Sequence, residues 1–253
     1  MGIKGASLAT VIARTCGMFF TLFFNYKSGL LDLSRPKLVN VLSTWKKILH
    51  VGVPSVLTQL LPPAIRGVLT GLAALSAGTV GVAALAVGSR IESFPMIVAW
   101  AVNLAVLTVI GQNWGSEKWG RVEKTRKAIV KMAFIYGIAV FIIFWPIASI
   151  AGKIFTDDRD VLNYTVLYLR IIFAGYPGMM LFSWTAIGLN AIGKPLWSFI
   201  LNLSCSLFLL IPGALLGHIN GGFTGLISGL MIGQILSGIT AYVIGRLQFR
   251  EKQ

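Results

Sequence analysis

The stretch GSRIESF, residues 88–94, places Arg90 and Glu92 inside a run that is otherwise apolar from Thr79 to Ile110. Of the eight acidic residues, Asp32, Glu117, Glu123, Asp157, Asp158, Asp160 and Glu251 fall in polar segments or the tail, and only Glu92 falls within a long apolar run. A charge at the centre of a hydrocarbon layer costs about 2.5–3.5 kcal/mol or more unless it faces protein or water. A carboxyl group kept at that cost can exchange a proton, hold Na+ or attract an organic cation. The alternative is an ion pair that locks two helices together. Arg90 is a poor partner, because side chains two residues apart on a helix point to nearly opposite faces. Arg66, on the preceding apolar segment, is better placed.

Other polar residues recur at helical spacing within apolar segments. Ser55, Gln59, Arg66 and Thr70 form one series, and Ser89, Glu92 and Asn103 a second. Tyr176, Ser183 and Asn190 follow every seven residues, and Ser198, Asn202 and Ser206 every four. Such stripes line a wet cavity or join helices by hydrogen bonds. Gln59, Arg66, Asn103, Tyr176 and Asn202 are therefore the residues expected beside Glu92 in a cavity. The remaining chemistry is thin. Cys16 and Cys205 lie far apart in apolar runs and suggest neither a disulfide framework nor a metal site. His50 and His218 fall at segment ends, and the glycines of GQNWGSEKWGRVEK (111–124) do not have phosphate-loop spacing. No catalytic partner for Glu92 stands out, so no enzyme, cofactor or metal is expected.

The elements that must position these residues are membrane helices. The chain is 56% hydrophobic and only 12% charged, with a mean hydropathy of +0.80. Runs of 18 or more apolar residues read as spans. Seven are expected, at 3–25, 51–76, 80–110, 128–151, 161–190, 196–216 and 222–245, giving an all-α polytopic membrane protein. Glu92 then lies about 18 Å along the third span, near the middle of the hydrocarbon core. Pro62 and Pro63 predict a kink in the second span. Residues 25–50 are polar and then amphipathic, and LVNVLSTWKKILH (38–50) is expected along the membrane surface. The first span lacks the basic leader and small-residue cleavage site of a signal peptide.

Seven spans sort the basic residues by side. Lys27, Arg35, Lys37, Lys46, Lys47, Lys118, Arg121, Lys124, Arg126, Lys127, Lys131, Lys194, Arg246, Arg250 and Lys252 share one side. The other side holds Lys4, Lys153 and Arg159. The positive-inside rule makes the first side, with the C-terminus, cytoplasmic. The same clustering accounts for the net charge of +14 without nucleic acid. An outward N-terminus and an odd span count lead us to expect a missing upstream lobe. A faint echo agrees: GIKGASLATVI (2–12) aligns with GFTGLISGLMI (222–232), matching Gly2 to Gly222, Gly5 to Gly225 and Ile12 to Ile232.

Five motifs then occur in order: GVPSVLTQLL, ALAVGSRIESF, VIGQNWGSEKWGRVEK, KIFTDDRDVLNYTVLYLRI and GYPGMMLFSWTAIGLNAIGKP. Together they resemble the C-terminal half of a multidrug and toxic compound extrusion (MATE) transporter. GIKGASLATVIAR resembles the family's sixth helix, and 51–253 its helices seven to twelve. The resemblance implies two domains here: 1–50, the final helix of an absent N-terminal lobe plus a cytoplasmic linker, and 51–253, a six-helix lobe. It further implies a central cavity in a multi-pass cell-membrane protein that exports small organic, often cationic, molecules in exchange for Na+ or H+. From its place in an apolar span, Glu92 is the residue expected to serve ion coupling or substrate attraction. The expected partners are those molecules, the bilayer and the missing lobe, without which the chain is not expected to transport. A lipid-linked saccharide flippase and a non-transporting assembly subunit are the alternatives.

Overall fold

The computed structural model describes residues 2–29 and 38–249, and every regular element among them is helical. The helices are α1 (Gly2–Lys27), α2 (Leu38–Gly115), α3 (Trp119–Lys153), α4 (Arg159–Ala174), α5 (Tyr176–Ala191), α6 (Pro195–Cys205) and α7 (Ile211–Gln248). A π-helical turn, Ser206–Leu210, joins α6 to α7. The chain forms two compact units, Met1–Ile48 and Leu49–Gln253. The cavity described below lies wholly in the second. Residues 38–50, expected as a surface segment, are helical and run on into the second span. Part of the polar linker expected at 25–50 lies outside the described residues.

Two of the long helices are hairpins rather than rods. The apolar part of α2, Gly52–Gly115, has 64 residues, which as one rod would be about three times the thickness of a hydrocarbon core. It breaks at Ala77 (φ −147°) and Gly78 (φ +58°). Positive φ is open to glycine at little cost, and Gly78 takes that value at the turn. Beyond it the chain doubles back, so a Cβ at Gly81 would lie 2.6 Å from the Ala73 carbonyl oxygen. α7 breaks likewise at Gly221 (φ −151°) and Gly222 (φ +56°). There Gly217 faces Gly225, Gly213 faces Gly229, and Gly233 meets Leu209 and Leu210. Small residues every four positions let two helix backbones touch. With these reversals the second, third, sixth and seventh expected spans are all present.

The fifth expected span, 161–190, is not one straight helix. α4 and α5 meet at Gly175 with a 57° bend. Gly175 ends α4, while Pro177 sits in the first turn of α5, where its missing N–H is harmless. Pro177 packs on Gly137 of α3, and Gly178 packs backbone to backbone on Gly238 of α7. α4 itself starts on Asp158, whose side chain accepts from the amides of Asp160 and Val161.

α5 is the central element of the lobe. Tyr176, Met180 and Trp184, one turn apart, are fully buried, and the Trp184 indole N–H donates to the Ala99 carbonyl at 3.2 Å. Residues joined across the lobe show which ends meet. Lys194 Nζ donates to Gln248 Oε1 at 2.8 Å, and Trp114 stacks edge-on with Trp119 and Phe249. At the opposite end Ser76 bonds His218 at 2.6 Å, and Tyr164 meets Phe223. The basic loop at 116–118 therefore shares an end with Lys194 and Arg246, as the span reading required.

Candidate functional site

Glu92 occupies the third span one helical turn after Gly88, and that pairing builds the site. The Tyr168 ring of α4 lies against the bare backbone of Gly88, in the space a Cβ would occupy. From there the Tyr168 hydroxyl donates to Glu92 Oε2 at 2.7 Å. The Tyr176 hydroxyl, from just beyond the bend, donates to Glu92 Oε1 at 3.3 Å. Both carboxylate oxygens are thus held by phenols, and the two phenols come from either side of the break at Gly175. A glycine in GSRIESF makes room for the ring that grips the glutamate. Charge-assisted hydrogen bonds of this kind offset part of the cost of taking a carboxylate out of water.

Glu92 lies on the wall of a cavity of about 580 Å³. Leu61 to Thr70 of the second span, Val82 to Glu92 of the third, Tyr168 and Ile172 of α4, Phe182 and Ser183 of α5 and Asn202 of α6 surround it. Ser206 of the π-helical turn and Gln234 and Ser237 of α7 complete the polar lining. Arg66 and Glu92 share this space, yet among the described residues no ion pair joins them within 4.0 Å: the ion pairs found run from Glu123 to Arg126 and Lys127. The lock between two helices is not made. Arg90 is exposed and does not line the cavity.

Of the residues expected in the cavity, Glu92, Arg66 and Asn202 line it. Three do not. Gln59 is exposed, just past Leu61, where the lining of the second span begins. Asn103 lies behind the wall, its Oδ1 accepting from the hydroxyl of the lining residue Ser183 at 3.4 Å. Tyr176 is fully buried and reaches Glu92 from within the protein. Sequence reasoning missed Tyr168 and Gln234. Tyr168 could have been found eight residues before Tyr176. Gln234 sits in a glycine-rich run, marked only by Ser237 three residues on, and its buried Oε1 has no hydrogen-bond partner.

A family model described as MatE matches residues 54–216, more than half of the chain. The chain belongs to the MatE family. Within the family it is 25% identical over 245 residues to a protein named FAD transporter from Shewanella oneidensis, covering 96% of this chain and 54% of that one. It is 22% identical over 172 residues to the multidrug export protein MepA of Staphylococcus haemolyticus, covering 68% and 38%. The chain thus spans about half the length, or less, of these MatE relatives. Its fold is that of the Vibrio cholerae MATE transporter VcmN in the bent form, with a TM-score of 0.89 at 24% identity over 99% of this chain and 57% of the other. A Pyrococcus furiosus transporter of the MOP superfamily, described as having a binding pocket of reversed polarity, gives 0.88 at 22% identity, covering 100% and 57%. The expectation of a MATE-type, all-helical, multi-pass membrane protein is met by these matches and by the helices themselves.

Proposed function

We propose that this MatE chain is the Glu92-bearing lobe of a two-lobe secondary active transporter that exports small organic molecules in exchange for Na+ or H+. The observation that carries the reading is the glutamate on the cavity wall, held by Tyr168 and Tyr176 across a helix break. A carboxyl group so placed can release a proton as the acid, or as the carboxylate take one up or give its oxygens to Na+, and either event changes what the two phenols hold. Because Tyr168 and Tyr176 stand on opposite sides of a 57° bend, the charge state of Glu92 is tied to the angle between α4 and α5. That is a physical route from ion binding to movement of a cavity wall, as alternating access needs. The names of the relatives, drug export and FAD transport, support organic cargo. The second lobe is proposed from the share of relatives' length that this chain covers, and cytoplasmic placement of the C-terminus from the basic asymmetry.

The test is gradient-driven flux of a fluorescent substrate in inverted membrane vesicles containing the assembled transporter. Glu92→Gln keeps the size of the side chain but cannot titrate. It should abolish flux driven by an imposed Na+ or pH gradient while leaving the protein in the membrane. Flux at the unmodified rate with the same gradient dependence would overturn the coupling role.

A further inference from the structure

The two charged groups of the cavity are not equivalent to an arriving molecule. Glu92 is part-buried and both its oxygens already accept phenolic hydrogen bonds. Arg66 is exposed on the cavity lining, and among the described residues no carboxylate lies within 4.0 Å of its guanidinium. The lining therefore offers a guanidinium with no carboxylate bonded to it and, in Phe182, Met179 and Leu210, an apolar surface.

We propose that Arg66 is an anion-binding subsite, and that the cargo is an amphipathic molecule with an oxyanion (phosphate or carboxylate) and an apolar body. This rests on the cavity being the cargo site, and it replaces the expectation that the cargo is cationic. That expectation came with the family resemblance; of the two charged groups, Glu92 already accepts a phenolic hydrogen bond at each oxygen, whereas no carboxylate is bonded to Arg66. A guanidinium presents paired donors that match an oxyanion. Its attraction is strengthened by the low dielectric around a membrane cavity.

Riboflavin 5′-phosphate and riboflavin differ only in the phosphate, share a planar apolar body, and fluoresce. Ethidium is a planar cation of comparable size. Binding of each is measured by fluorescence to the purified full chain in phosphatidylcholine nanodiscs. The phosphate ester should bind at least about tenfold more tightly than riboflavin, the worth of one hydrogen-bonded charge pair. Arg66→Gln should remove that preference and leave riboflavin binding unchanged, and Arg66→Lys should keep part of it. Arg66 is exposed, so neither variant disturbs the packed core; circular dichroism and melting confirm this. Equal binding of the two flavins, or a preference that survives Arg66→Gln, would overturn the subsite. So would loss of the preference when phosphatidylglycerol is added, which would make a lipid head group the occupant. Tight ethidium binding indifferent to Arg66 would also overturn it, while leaving the exporter reading intact.

Discussion

At the residue scale the site depends on an absence, the missing Cβ of Gly88. The Tyr168 ring fills that space, and a methyl group there would collide with two of its ring carbons and crowd a third. The ring cannot move far, since Tyr168 is only 5% exposed. Gly88→Ala should therefore cost stability, about 1–3 kcal/mol from overpacking, and should break the Tyr168–Glu92 hydrogen bond as well. Tyr168→Phe removes the bond alone, about 1.5–3 kcal/mol for a hydrogen bond to a charged group. Melting of both single variants and the double variant in detergent checks this. The two changes should be strongly non-additive, and simple additivity would show that Gly88 does not position Tyr168. Glu92 was legible in the sequence because an acid in an apolar run has a cost that needs a reason. Its partners were less so. Tyr176 was grouped with Ser183 and Asn190 by spacing, but its role follows from the bend one residue earlier, which turns its hydroxyl inward.

At the element scale the hairpins separate glycines that look alike in sequence. Gly225 touches the carbonyl of Gly217 across the α7 reversal, whereas Gly71 has open space where its Cβ would be. Gly225→Ala should destabilise by about 1–3 kcal/mol by pushing two backbones apart. Gly71→Ala should be neutral or stabilise by up to about 1 kcal/mol through helix propensity. Thermal unfolding of the purified variants gives both signs, and a cost at Gly71 equal to that at Gly225 would contradict the packing. The breaks at 77–78 and 221–222 were readable because glycine coincided with the end of a span-length apolar run. The bend at Gly175 was not, because the run 161–190 also fits a single span. In retrospect Gly175 with Pro177 is a helix stop followed by a start. The π-helical turn at Ser206–Leu210 carries no Gly or Pro to announce it. The convergence of the polar stripes was legible as stripes only. Which members face the cavity depends on rotations that periodicity does not fix, and so Gln59 and Asn103 were misplaced.

At the scale of the whole molecule, charge and packing constrain each other. The hydrogen bond from Lys194 to Gln248 and the stacking of Trp114 with Trp119 and Phe249 put three chain segments at one end of the lobe. Ser76 with His218, and Tyr164 with Phe223, put three others at the opposite end. The first end carries Lys118, Arg121, Lys124, Lys194 and Arg246, and the second carries Lys153 and Arg159 beside Asp157, Asp158 and Asp160. Translocating the basic end would oppose the bias that orients membrane proteins. The lobe should therefore sit with residues 116–118 in the cytoplasm and 155–158 outside. Single cysteines at Lys118 and Asp158, in a background with Cys16 and Cys205 replaced, test this with an impermeant thiol reagent on intact cells. Asp158→Cys should label at once, and Lys118→Cys only after the cells are opened. Lys118 is a loop residue; Asp158 caps α4, so its replacement costs about 1 kcal/mol of stability without changing the side on which the loop lies. Labelling of both in intact cells would contradict the span assignment. The reverse pattern would invert the lobe, and with it the direction in which Glu92 meets the ion.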